Sequence, residues 1–141
     1  MYMKILLAIL YAVTFTCQVN AAEVKLACKG ININVDNNGN RVVRDDNFTF
    51  VVVFDSDTNT VNGNKSGQRG YISGRTGRDK DIVNVTDSYI SLEHHDDNID
   101  ITESINRING SYEYIQRKHI NGTNYGSVKY HGHCVTMKQA F

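Results

Sequence analysis

The sequence predicts an all-β protein, a small antiparallel β-barrel or β-sandwich closed by a terminal disulfide. Three observations predict it. Several segments alternate apolar and polar side chains with period two, and none carries a helical stripe of useful length. Asn-Gly pairs at 38–39, 62–63, 109–110 and 121–122 punctuate the chain, and Asn-Gly tolerates the φ > 0 conformations of tight hairpins. Two cysteines, Cys28 and Cys134, lie near the two ends of the domain.

The N-terminal segment sets the expected compartment. Lys4 precedes an apolar run from Ile5 to Phe15, broken only by Tyr11 and Thr14, and Val19-Asn20-Ala21 fits the small-x-small cleavage rule. The expectation is a signal peptide over residues 1–21 and a single β domain over residues 22–141, located in the periplasm or secreted. The apolar run is shorter than the roughly 20 residues a transmembrane helix needs, and no second such run follows. Thr14-Phe15-Thr16 lacks the small residues that precede a lipoprotein cysteine. With Cys17 in the leader, the even pair Cys28 and Cys134 reads as a disulfide. Closing a loop of roughly 100 residues stabilises by about 4.7 kcal/mol in the loop-entropy model. Structural zinc usually takes thiols in C-x-x-C pairs, which these single cysteines are not.

The elements follow in order. Val24, Leu26 and Cys28 alternate with Lys25, Ala27 and Lys29, a half-buried strand with the cysteine inward. Across Gly30 the apolar phase changes to Ile31, Ile33 and Val35, which predicts a bulge and a switch of face. Phe48 to Asp55 is apolar on both faces and predicts a central strand. Further strands are expected at Ile82 to Thr86, Tyr89 to His94, Ile99 to Thr102, Ser111 to Gln116 and Tyr125 to Met137. Seven to nine short strands with frequent turns give the barrel or sandwich.

Composition narrows the function classes. The 15 basic side chains match 15 acidic ones, and loss of Lys4 with the leader leaves a net charge near −1. A nucleic-acid binder would need an excess of Lys and Arg to meet phosphates. A hydrophobic share of 40% is too high for a disordered chain. The sequence contains no G-x-S-x-G elbow and no H-E-x-x-H, so the expectation is no enzyme and no cofactor.

Three clusters could carry chemistry. His131 and His133 are two apart in a strand and share a face, a geometry that could hold copper or zinc. A third ligand would have to come from elsewhere, for example His94-His95-Asp96-Asp97; otherwise these are solvated strand histidines. Asp55-Ser-Asp57-Thr-Asn59 begins like a calcium loop, yet positions six and twelve hold Thr60 and Ser66 rather than Gly and Glu, which leaves a polar hairpin. Ser66, Arg69, Tyr71, Arg75 and Arg78, flanked by Lys65 and Lys80, form a Gly-rich basic loop suited to an anionic partner.

Two resemblances follow from motifs. Cys28-Lys-Gly30, Phe50 to Asp55, Ile105-Asn-Arg107-Ile-Asn-Gly110, Gly132-His-Cys134 and Phe141 resemble a group of small uncharacterised exported proteobacterial proteins. That resemblance implies a disulfide-bonded β-domain and assigns no activity. Ser66-Gly67-Gln68-Arg69-Gly70-Tyr71 is similar to the S-G-x-x-Y loop of periplasmic C-type lysozyme inhibitors, one residue longer and without that family's Trp. The expected function is a non-catalytic binding or structural module with an unidentified protein or surface ligand. The alternatives are an inhibitor of a lysozyme-like enzyme and a copper- or zinc-binding protein.

Overall fold

A computed structural model describes residues 23–36, 38–75 and 81–137, without the side chains of residues 43–46. The expected signal peptide, Arg78 and Phe141 lie outside these residues. Among the described residues every regular element is a strand. The ten strands are β1 (Val24–Val35), β2 (Arg41–Asp55), β3 (Thr60–Val61), β4 (Asn64–Lys65), β5 (Gln68–Arg69), β6 (Ile82–Val85), β7 (Tyr89–His95), β8 (Ile99–Asn106), β9 (Ser111–Ile120) and β10 (Thr123–Thr136).

They form one antiparallel sheet in the order β4-β3-β2-β1-β10-β9-β8-β7-β6-β5, curled into a nearly closed barrel. The first and last strands are neighbours, paired without a shift from Leu26↔Thr136 to Val35↔Ser127. The disulfide therefore links directly opposite residues of one rung, Cys28 and Cys134, whose Cα atoms are 3.9 Å apart. The open seam falls instead in the middle of the chain, between β4 and β5.

The Asn-Gly pairs make the turns that they predict at two hairpins. Asn62-Gly63 joins β3 to β4 and Asn121-Gly122 joins β9 to β10, each residue at positive φ. The barrel interior is filled by Val52, Val61, Val83, Ile90 and Leu92, all fully buried, with Phe48, Phe54, Ile101, Ile105, Tyr112 and Tyr114 around them. Ile72 joins this core from outside the strands, at 1% exposure.

One sequence expectation is corrected. Gly30 does not switch the face of β1, because the β1–β10 register runs straight through it. Asn32 thus stays on the inner face beside Tyr130, and Ile31 is exposed opposite His131. The irregularity lies on the partner strand: residues 45–47 of β2 oppose the single Ile31 between the rungs Gly30↔Phe48 and Asn32↔Arg44, two residues in excess. Both Asn32 and Ile33 are buried, so β1 is covered on both faces at that point.

Candidate functional site

The seam is crossed by the chain itself. The Ser66-Gly67 turn carries β4 into β5 and is fixed on both sides. Ser66 N–H donates to Asn59 O at 2.9 Å, and Gly67 N–H donates to Val83 O at 2.8 Å. The Ser66 hydroxyl accepts from Val85 N–H at 2.8 Å. Asn62 then reaches across: its Nδ2 donates to Tyr71 O at 3.0 Å and Ile72 O at 2.9 Å, while its Oδ1 accepts from Val53 N–H at 3.0 Å. Along residues 65–71 the side chains of Lys65, Gln68, Arg69 and Tyr71 remain exposed on this pinned backbone.

Beyond the seam the chain folds over one end of the barrel as a strap, residues 70–75. Gly70 N–H donates to Asp81 O at 3.0 Å, and Ile72 plugs the core. Ser73 N–H donates to Glu103 Oε1 at 3.2 Å. Arg75 then lays its guanidinium over two rings, with Cζ 4.1 Å from the Tyr130 centroid and 4.6 Å from the Phe48 centroid.

Beneath the strap sits a mixed aromatic and polar cluster. Phe48, Phe50, Tyr112, Tyr114 and Tyr130 form a chain of ring pairs with centroids 4.8 to 6.0 Å apart. Glu103, on β8 between Leu92 and Tyr114 in the register, is 1% exposed. Its Oε1 accepts from Tyr112 Oη at 2.8 Å as well as from Ser73. Burial pushes the Glu103 carboxyl above the ordinary carboxylate range, against the opposing pull of the Ser73 and Tyr112 hydrogen bonds and the Arg75 charge. Tyr112 is pushed well above its usual value, first by its own burial and then by the Glu103 charge.

The residues singled out from the sequence distribute unevenly over this arrangement. Arg69 and Tyr71 are exposed on the seam strip, Ser66 is spent on the frame, and Arg75 turns inward over the mouth. Arg78 lies outside the described residues. His131 and His133 share the outer face of β10 with Cys134 facing inward, as the alternation predicts. Glu113 Oε1 lies 3.6 Å from His131 Nδ1 across the β9–β10 rung. His94 to Asp97 stand away from this pair, because β9 and β8 separate β7 from β10. His94 there meets Asp81 at 2.5 Å and Asp96 at 3.2 Å. Among the described residues no group of three or more His, Cys, Asp or Glu could hold a metal ion.

The sequence reading missed Glu103. The signal was present: Ile101, Glu103 and Ile105 occupy one face of β8, so a carboxylate stands in an apolar register. It went unread because the strand was expected to end at Thr102. A second cluster was also missed, at the β7–β8 hairpin. Asp100 accepts from His95 Nδ1 at 2.8 Å and lies 3.3 Å from His119 Nε2. The Asp100 carboxylate raises His95 above the usual imidazole range.

Phe141 lies outside the described residues, and several of the other motif residues behind the first resemblance have framework positions. Phe50, Val52 and Phe54 face the interior, and Asp55 Oδ1 accepts from Asp57 and Thr58 N–H in the following turn. Asn106 Oδ1 accepts from Ile108 and Asn109 N–H, and Gly110 O accepts from Cys134 N–H at 2.7 Å. Arg107 stacks on Phe54 and donates to Thr86 O. Among the described residues no helix is long and apolar enough to cross a membrane. No family model, no curated protein and no solved structure matches this chain.

Proposed function

We propose that this chain is an exported, non-catalytic binding module whose contact surface is the seam strip from Lys65 to Tyr71. The observation that carries this reading is the fixation of the strip. Asn62, Asn59, Val83 and Val85 take up its backbone and the Ser66 hydroxyl, while Lys65, Gln68, Arg69 and Tyr71 stay exposed. A surface already held in one conformation loses little entropy on binding. Its cations offer charge-assisted donors to carboxylates or phosphates, and Tyr71 adds a large ring at 46% exposure. The partner class is therefore an anionic protein surface.

Inhibition of a lysozyme-like enzyme is one form of this reading. It is favoured by the exposure of Tyr71 at the end of the Ser66–Tyr71 segment, although Ser66 itself is engaged by Val85.

The test is capture of partners from the protein's own periplasm or medium at low and physiological salt, with the Arg69→Ser/Tyr71→Ser variant alongside. The reading predicts a partner captured better at low salt and lost by the variant, because charge steering is screened within about 8 Å at physiological ionic strength. Capture that survives both the salt and the variant places the contact elsewhere. A turbidity assay with a C-type lysozyme settles the inhibitor form.

A further inference from the structure

The buried acceptors around Arg75 outnumber their donors. Glu103 Oε1 receives two hydrogen bonds, while its Oε2 is buried and has no hydrogen-bond partner among the described residues. Asn32, 6% exposed and directly opposite Tyr130, leaves Oδ1 buried and unpartnered among the described residues, while its Nδ2 lies 3.5 Å from Tyr130 Oη. A buried acceptor without a donor loses its hydration with nothing in return, so any N–H group delivered here is favoured. The surrounding walls are ring faces: Phe48, Phe50, Tyr112, Tyr114 and Tyr130.

Rings and unpaired oxygens together select one class of ligand. An anion would meet the Glu103 carboxyl, and a neutral apolar group would leave the oxygens unmet. An organic cation bearing N–H donors satisfies both, since ring faces attract cations and the oxygens accept its protons. Among the described residues one such group lies at this place, the guanidinium of Arg75. It arrives on the strap rather than on a strand, and Arg75 as a whole remains exposed.

We propose that the mouth of the barrel is a binding site for a guanidinium- or ammonium-bearing ligand, and that Arg75 is the occupant the chain itself supplies, displaced when that ligand binds. The site is separate from the anionic-partner strip and does not depend on it. Arg75 competes from within the same molecule. If the form with Arg75 swung out makes up about 1–10% of molecules, apparent affinity in the wild type falls about 10–100-fold below the intrinsic value.

The test follows the tyrosine ring signals of Tyr112, Tyr114 and Tyr130 and the side-chain signals of Arg75 by NMR. Two probes are titrated separately, propylguanidinium and a capped tripeptide with one central arginine, which distinguish a free small cation from a protein side chain. The expected result is weak binding of at least one probe to the wild type, with the Arg75 signals moving toward their unstacked positions. Arg75→Gln should bind that probe about 10–100-fold tighter, and Arg75→Gln/Glu103→Gln should lose this gain. Dispersed amide spectra check that each variant is folded. The proposal is overturned if neither probe binds Arg75→Gln, if Arg75→Gln binds no tighter than wild type, or if adding Glu103→Gln to it leaves affinity unchanged. Should Arg75→Gln fail to fold, the wild-type titration decides: Arg75 signals that stay fixed while a probe saturates the tyrosine shifts overturn the displacement. Salt-sensitive capture on the seam strip would survive that failure, so the two readings fall separately.

Discussion

Gly30 and Gly132 stand opposite each other, one inward rung beyond the disulfide, and neither has room for a Cβ. A Cβ on Gly30 would lie 2.1 Å from His131 O, and one on Gly132 would lie 2.3 Å from Lys29 O. The obstacles are backbone atoms, which no rotamer change can move aside. The Cys-x-Gly and Gly-x-Cys triplets are thus a single structure seen twice in the sequence. They lie rung against rung, Cys28 on Cys134, Lys29 on His133 and Gly30 on Gly132. Gly132→Ala should cost about 3 kcal/mol by overpacking, read as a lower urea midpoint at unchanged m-value. An unchanged midpoint would mean that β1 and β10 do not approach this closely.

The disulfide itself is the next prediction. Both cysteines are buried, so neither should label with an alkylating reagent before reduction. The Cys28→Ser/Cys134→Ser variant should lose about 2–5 kcal/mol of stability, the usual range for small exported domains. Two free thiols in the unreduced folded protein would contradict the pairing.

Asn62 ties the seam to the strap, and its positive φ of 50° makes glycine the substitution that isolates its side chain. Asn62→Gly keeps the backbone and removes three hydrogen bonds, each on the order of 1 kcal/mol. Amide exchange at Val53 should accelerate in step, since that N–H loses its acceptor. Stability within a few tenths of a kcal/mol of wild type would show that the seam does not rest on this residue.

Glu103 makes stability depend on pH with a definite sign. Burial raises its folded-state pKa above the unfolded value, and Ser73, Tyr112 and Arg75 only partly offset this. Its contribution is therefore fully present below the unfolded-state pKa of about 4.3 and is lost as pH rises through the raised folded value. Glu103→Gln keeps an acceptor for Tyr112 and Ser73 and should lack that step. The stability of the variant relative to wild type should grow as pH rises from 4 toward neutrality. A difference independent of pH would contradict a Glu103 carboxyl raised by burial.

Asp100 should hold the His95 proton longer than an isolated imidazole would. NMR titration of His95 should give a midpoint above the ordinary value of about 6.5, and Asp100→Asn should bring it back. With His95 exposed and Asp100 half-buried, this pair serves as a marker of the β7–β8 hairpin rather than as a source of stability.

Alternation and turn chemistry made the frame readable. Cys28 inward, His131 and His133 outward and the Asn62-Gly63 and Asn121-Gly122 hairpins all follow from local pattern. The strands β3, β4 and β5 did not, because two-residue strands carry no period. The supposed change of face at Gly30 misled because the apolar residues Ile31 and Ile33 suggested burial on one side, whereas Asn32 takes the inward place beside Tyr130. The mouth was illegible for a different reason. Arg75 meets Phe48 and Tyr130, and Ser73 meets Glu103, across long stretches of sequence that only barrel closure brings together.

Arg75 lies over the Phe48 and Tyr130 rings at the barrel mouth, and its side-chain NMR signals in the unliganded protein test that most directly. A guanidinium stacked 4.1 Å from Tyr130 and 4.6 Å from Phe48 places the Arg75 methylenes in the shielding region of both rings. The Arg75 δ protons should be shifted upfield and show cross-relaxation to the Phe48 and Tyr130 ring protons. Arg75 shifts at unfolded-peptide positions, with no cross-peak to either ring, would contradict it.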